Sequence, residues 1–171
     1  MSNYTALLRG INVGGNNIIP MKELKAMCER IGFKNVRTYI QSGNVVFESN
    51  LSVEKAAGKL EKELLTKVGK NIHVVTRTSE EMVSVVSKNP FPKENPSKVA
   101  VWFFSDPVPG DYLKGFVNEG PEKIILSKRE MYIYYPDGMG KSKLKLPKMK
   151  EQGTARNINT ITRLAEMGKN L

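Results

Sequence analysis

One histidine, one cysteine and one tryptophan stand among the 171 residues. These scarcities exclude several chemistries. A structural zinc site draws on four cysteine or histidine ligands, and this chain has two such residues in all. No disulfide can form within it, and a lone Cys28 agrees with a reducing compartment, since secreted domains usually carry paired cysteines. Long apolar runs are missing too: none approaches the roughly 18 residues of a membrane helix. The N-terminal Met1 to Gly10 shows no basic region followed by an apolar stretch, so no signal peptide is expected. A cytoplasmic protein without membrane contact follows as the expectation. His73 falls in an expected strand, where a packed or surface role fits better than a catalytic base. Cys28 lies on an apolar helix face and reads as a small hydrophobe. With carboxylates scattered among lysines, no nucleophilic triad, redox centre or metal site can be singled out, and no cofactor is expected.

What is present is positive charge and a well-punctuated pattern. Lys and Arg number 27 against 17 Asp and Glu, giving a formal charge of +10. Such a balance attracts phosphate polymers and acidic ligands, or else only solvates the surface. Much of it falls late, at Lys141, Lys143, Lys145, Lys148 and Lys150.

Along the chain, residues 4–8 are short and apolar and lead into a glycine-rich loop, as a strand does. Pro20 opens a helix from its first position; Met21, Leu24, Cys28 and Ile31 share one face, and Gly32 ends it. Strands at 36–40 and 45–49 flank the turn-forming Gln41-Ser42-Gly43-Asn44. Ser52 caps a second helix with its stripe at Val53, Ala56, Ala57, Leu60 and Leu64. A strand at 72–76 completes βαββαβ, the ferredoxin-like order. Thr78 and Glu81 are spaced as a capping box for a linking helix that Asn89-Pro90 stops.

After the proline-dotted stretch 89–96 come a strand at 99–104, a helix near 111–117, strands at 123–126 and 131–135, and a helical tail over 154–167. The second half thus reads βαββα, lacking the last strand of the first. The expected class is α+β: a ferredoxin-like half over 1–78, a linking helix and linker over 79–96, and a second half over 97–171 with its tail helix. Strands one and 99–104 are apolar on both faces, so both faces are expected to be covered, by helices on one side and the partner half or the tail on the other. That argues against an open sheet face stacking bases, as RNA-recognition domains do.

Three polar segments are candidates for a site. Arg9 to Asn17 combines glycines with asparagines. Its N–H groups can face a ligand near a helix N-terminus, and Arg9 can hold a phosphate or carboxylate; a tight structural turn is the alternative. Gly140-Lys141-Ser142 resembles the end of a P-loop, but the required earlier glycine is absent, so only a simpler phosphate-contacting loop is left. The tail places Arg156, Thr160 and Arg163 on one face, with Asn157 and Asn159 at its start, as an ordinary amphipathic surface helix also would.

The segments Ala6 to Gly15, Pro20 to Leu24, Tyr39 to Phe47 and Thr154 to Asn157 resemble, in that order, the bacterial family catalogued as domain of unknown function 1697. The resemblance implies the two-part ferredoxin-like architecture and assigns no activity. It departs at Ile158, where the family's last motif usually carries tryptophan. It groups Arg9, Asn12, Gly14, Gly15, Gln41, Ser42, Asn44, Arg156, Asn157 and Asn159 as polar loop positions, to which the residues themselves add Lys141 and Ser142. A single site is expected to bring Arg9 together with Ser42 and Arg156. The leading expectation is binding of a phosphate-bearing partner, with nucleic acid first. The alternatives are an enzyme acting on a small phosphorylated or nucleotide-like substrate, and a protein-interaction module.

Overall fold

In the computed structural model, residues 1–171 are described, apart from the side chains at positions 150 and 151. Lys150, counted above in the late basic run, therefore lies outside the described residues. The chain divides into two compact units: residues 1–84 with 163–171, and residues 85–162. Each contains one four-stranded antiparallel sheet.

The first unit runs β1 (Ser2–Leu8), α1 (Met21–Arg30), β2 (Lys34–Tyr39), β3 (Asn44–Ser49), α2 (Val53–Val68) and β4 (Val74–Thr78). Its strand order is β2-β3-β1-β4, the ferredoxin-like arrangement. The helix stops are those the sequence implies. Ser52 Oγ accepts from Lys55 N, and Gly69 at φ +75 closes α2. Pro20 stands one residue earlier than expected, just ahead of α1, where its carbonyl accepts from Glu23 N and Leu24 N. One face of the sheet, through Tyr4, Ala6, Leu8, Val45, Phe47 and Val74, buries against Leu24, Met27 and Cys28 of α1 and Ala56, Leu60 and Leu64 of α2. Phe33 stacks on Phe47 with ring centroids 4.0 Å apart. On the opposite face, Gly168 of the C-terminal helix lies so close that an added Cβ would meet Ser79 Oγ at 2.6 Å.

The second unit holds β5 (Val99–Phe104), β6 (Lys123–Leu126), β7 (Glu130–Tyr134) and β8 (Gly153–Asn157), in the order β6-β7-β5-β8. With β5 to β8 in place of β1 to β4, this is the order of the first sheet. Helix α3 (Ser79–Ser87) has residues 79–84 in the first unit and 85–87 in the second; α4 (Ile158–Lys169) has residues 158–162 in the second and 163–169 in the first. The α+β class with two ferredoxin-like halves and a C-terminal helix is what the sequence predicts.

Two details of the second half differ. The helix expected near 111–117 is a run of tight turns, Tyr112 N donating to Pro109 O, Lys114 N to Asp111 O and Phe116 N to Leu113 O. Pro107, Pro109 and Gly110 interrupt the approach, and Gly115 sits at φ +75. Residues 154–157, placed in the tail helix, instead belong with Gly153 to β8, paired along β5 from Ala100↔Asn157 to Phe104↔Gly153. Strand β5 is central and apolar, and its free edge needs hydrogen-bonding partners; that demand outweighs the local helical pattern. Both halves therefore have four strands.

Among the described residues no helix is long and apolar enough to cross a membrane, and no group of three or more His, Cys, Asp or Glu side chains could hold a metal ion.

Candidate functional site

In the first unit, β1 and β3 are antiparallel neighbours with Leu7 opposite Asn44, so the loop leaving β1 and the turn entering β3 emerge at the same end. They touch. Asn12 holds the junction: its Nδ2 donates to Gln41 O at 2.7 Å and to Ile19 O at 3.0 Å, while its Oδ1 accepts from Ile19 N at 2.8 Å. Asn12 adopts φ +54, which asparagine tolerates. Asn44 is fully buried and donates to Tyr39 O and to Ser42 Oγ. Gly43, at φ +86, lets Ile11 approach so closely that a Cβ would lie 2.6 Å from Ile11 Cδ1. Arg9 N donates to His73 O, and the His73 ring pairs with Glu61 at 3.1 Å. The amide groups of Asn12 and Asn44 are thus engaged with the loops' own backbone, while Gly14, Gly15 and Gln41 stand exposed. The structure brings Arg9, Asn12, Gln41, Ser42 and Asn44 to one end of the first sheet.

Arg156, Asn157 and Asn159 belong to the second unit. Arg156 is buried on β8; its Nη1 donates to Thr154 Oγ1 at 2.6 Å and to Ala155 O at 2.9 Å, and burial lowers its guanidinium to about 10. Asn157 Nδ2 donates to Ser97 O, its Oδ1 accepts from Asn159 N to cap α4, and Asn159 is exposed. Ile158 is buried, 4% exposed, in the position where the family's tryptophan is expected.

Of the remaining two candidates, Lys141 lines a cavity of about 730 Å³ in the second unit, together with Phe116, Glu122, Asp137, Lys143 and Lys145 among others, and Ser142 follows Lys141 in the chain. The cavity's size suits a small ligand. After a helical turn at Met139–Lys141 the chain runs extended from Ser142 (φ −71, ψ 136). Lys141, Lys143 and Lys145 are exposed, whereas Leu144 and Leu146 pack on the apolar cluster of Ala100, Phe104, Met131, Ile133 and Tyr135. Alternate side chains of an extended segment face the same way, about 6.6 Å apart. Lys143 and Lys145 therefore face the same way, while Lys141 ends the helical turn before them; all three line the cavity, and Ser142 Oγ donates to Glu122 Oε1 at 2.5 Å.

Sequence reasoning missed Glu122. It is 9% exposed, and its Oε2 has no hydrogen-bonding partner among the described residues. The loop before it is fixed by Asn118 Nδ2 donating to Glu122 O at 2.6 Å and Gly120 N donating to Asn118 Oδ1 at 3.1 Å. Burial raises the nearby Tyr135 hydroxyl, the proximity of the Trp102 indole acting against it and the Glu122 charge adding to it. A carboxylate flanked by Pro121 and Lys123 in a loop carries no period that marks it as buried; the Lys-Ser-Lys-Leu-Lys-Leu alternation was the available signal.

The model of the family described as "Protein of unknown function (DUF1697)" matches residues 1–132. The chain belongs to this family. The matched part includes the β1 loop, the β2–β3 turn and the loop carrying Glu122, and it stops short of Lys141 to Lys145 and Arg156. A solved structure of a conserved bacterial protein from Streptococcus pneumoniae is similar over 98% of this chain and 98% of its own, with a TM-score of 0.79 and 22% sequence identity. That likeness shows the shared fold. No curated protein matches the chain.

Proposed function

We propose that the protein binds a phosphate-bearing partner along the exposed lysines of the second unit, with a nucleic-acid strand as the form its charge favours. The observation that carries this reading is the exposure of Lys141, Lys143 and Lys145 at the wall of one cavity, Lys143 and Lys145 at alternate positions of an extended segment that follows the turn ending in Lys141. Lysines at alternate positions of extended backbone, about 6.6 Å apart along the chain, meet successive phosphates of an extended strand as point charges. The +10 charge adds attraction over distances of about a Debye length.

Titrating a labelled single-stranded oligonucleotide at several salt concentrations tests it. Three phosphate contacts give a log–log salt slope near −2. Lys143→Ala is expected to weaken binding to all sequences alike and to reduce the slope by about 0.7. Absence of binding at low salt, or a slope unchanged in Lys143→Ala, refutes the reading.

A second reading is favoured by the cavity itself: an enzyme acting on a small phosphorylated substrate, with a carboxylate base drawn from Glu119, Glu122 and Asp137, which line it. A salt-insensitive shift in thermal stability on adding one phosphorylated compound, with turnover of that compound, would select it.

A further inference from the structure

We infer that the outer edge of β6 is a docking site for an extended, acidic segment of a partner protein, which adds to the second sheet as a fifth strand. β6 stands at the end of its sheet, in the place that β2 holds in the first. The turn that follows it bonds Ser127 N to Glu130 O. Hydrogen-bonded pairs alternate along an antiparallel ladder, so the next ones are Ile125 with Tyr132 and Lys123 with Tyr134. Ile124 and Leu126 therefore turn their N–H and C=O groups outward, as does Glu122 before them. The Glu122 carbonyl is already taken, by Asn118 Nδ2 at 2.6 Å. Among the described residues, nothing hydrogen-bonds the outward groups of Ile124 and Leu126. Both residues are half-buried, and backbone groups without a protein partner face water.

The two equivalent edges are built differently. β2 carries a register shift between Lys34 and Arg37, with Asn35 at φ +49 and both charged side chains exposed; an irregular, charged edge discourages an added strand. β6 pairs without a shift from Lys123 to Leu126, contains no proline and leaves Ile125 44% exposed. Its two open residues offer two donors and two acceptors to a short strand. Charge selects which strand. Lys123 and Lys128 stand exposed at the two ends of β6, and Lys123 shares a face with Ile125. The added strand thus carries an apolar residue beside Ile125 and carboxylates two positions to either side, near Lys123 and the hairpin tip. A second copy of this chain fits poorly, because it brings its own +10 charge. The site uses the backbone of β6 and does not depend on phosphate binding at the lysines of the cavity.

The test is a nuclear magnetic resonance titration of the full chain with an acetylated, amidated peptide of core sequence Glu-Thr-Val-Thr-Glu, read by amide hydrogen exchange. The core is palindromic, so it presents the same side chains in either strand direction. In the free protein the Ile124 and Leu126 amides are expected to exchange quickly and that of Ile125, bonded to β7, slowly. At millimolar peptide the Ile124 and Leu126 amides are expected to slow by about tenfold or more. Lys123→Glu is expected to weaken binding about fivefold, added salt to weaken it as well, and Ile125→Lys to weaken it about tenfold or more. Both substituted side chains are exposed, so both variants are expected to keep the wild-type melting temperature. Equal binding of the analogue Lys-Thr-Val-Thr-Lys overturns the inference, as do slow exchange at Ile124 and Leu126 in the free monomer and absence of binding at millimolar peptide. Protection of these two amides that rises with protein concentration, without peptide, overturns it in favour of a second copy.

Discussion

Asn12 separates a ligand contact from a structural clamp, and the two roles have opposite signatures. Its amide makes three hydrogen bonds, to Ile19 N, Ile19 O and Gln41 O, at 2.8, 3.0 and 2.7 Å. Ile19 is almost fully buried, so its peptide groups do not readily turn to water. At about 1 kcal/mol net for each bond, Asn12→Gly is expected to cost about 3 kcal/mol. Asn12→Ala adds the strain of an alanine at φ +54, about another 1 kcal/mol. Urea unfolding followed by far-UV circular dichroism reads this directly. With a slope of about 2 kcal/mol/M the midpoint falls by about 1.5 M for glycine and about 2 M for alanine. Asn12→Asp is expected to match alanine, because a carboxylate then faces two carbonyl oxygens. A loss below about 1 kcal/mol in Asn12→Ala, or alanine no worse than glycine, refutes the clamp. Weakened ligand binding with unchanged unfolding would return Asn12 to a binding role.

Gly43→Ala is expected to cost about 2–4 kcal/mol, since its Cβ meets Ile11 at 2.6 Å and φ is +86, and chemical denaturation measures it. Burial, with Glu29 and Glu63 adding, raises the Cys28 thiol to about 12. The unfolded thiol ionises near its ordinary value while the folded one stays protonated, so the folded state binds the extra proton and stability falls as pH rises from about 9 toward 12. Between pH 7 and 10 this group removes about 1.4 kcal/mol. Wild type minus Cys28→Ala should show that slope, and the native thiol should resist alkylation; a pH-independent difference contradicts it. Thr78→Ala and Glu81→Ala each remove one arm of a reciprocal cap at the start of α3, Thr78 N donating to Glu81 Oε2 and Glu81 N to Thr78 Oγ1. Each is expected to cost about 1 kcal/mol, and a double-mutant cycle should show less than additive loss. Arg156→Ala is expected to destabilise by several kcal/mol without changing affinity for phosphate esters, since its donors face Thr154 and Ala155. Equilibrium unfolding beside a binding titration decides between that and a ligand contact.

The first half was legible because its elements are punctuated locally: Ser52 and Gly69 bound α2, Gly32 ends α1, and apolar residues recur at helical spacing between them. The meeting of the β1 loop with the β2–β3 turn was legible in principle too. A right-handed crossover makes β1 and β2 parallel, so a hairpin after β2 must start at the end where β1 stops. The second half depends on tertiary contacts. Residues 153–157 are a strand because β5 offers an edge, and nothing in Gly-Thr-Ala-Arg-Asn itself demands one. The asparagines of the polar loops attracted attention as binding groups, yet Asn12, Asn44 and Asn157 all serve backbone groups, the ordinary use of asparagine in turns. Glu122 was hidden for the opposite reason: a surface-type residue in a loop became buried by what folds over it.

The two halves cover the same face of their sheets by different means. Both sheets have the same order, and each places a buried arginine on its β4-type edge strand two residues before a helix: Arg77 opposite Thr5 ahead of α3, and Arg156 opposite Val101 ahead of α4. In the first half the remaining face, through Ala6 and Leu8, is covered by α1 and α2, whose backbone groups are satisfied within each helix and whose apolar side chains pack on it. In the second, the corresponding face, through Ala100 and Phe104, is covered by Val108, Tyr112, Leu144, Leu146 and Met149 from irregular segments. Irregular cover must satisfy its own polar groups piecemeal, as Asn118 and Ser142 do around Glu122, and it leaves room that a helix would fill. A rigid sheet with an adaptable loop cover is where binding groups are most readily presented. The exposed lysines at the cavity wall belong to that cover, in the half where the ferredoxin-like pattern loses its helices.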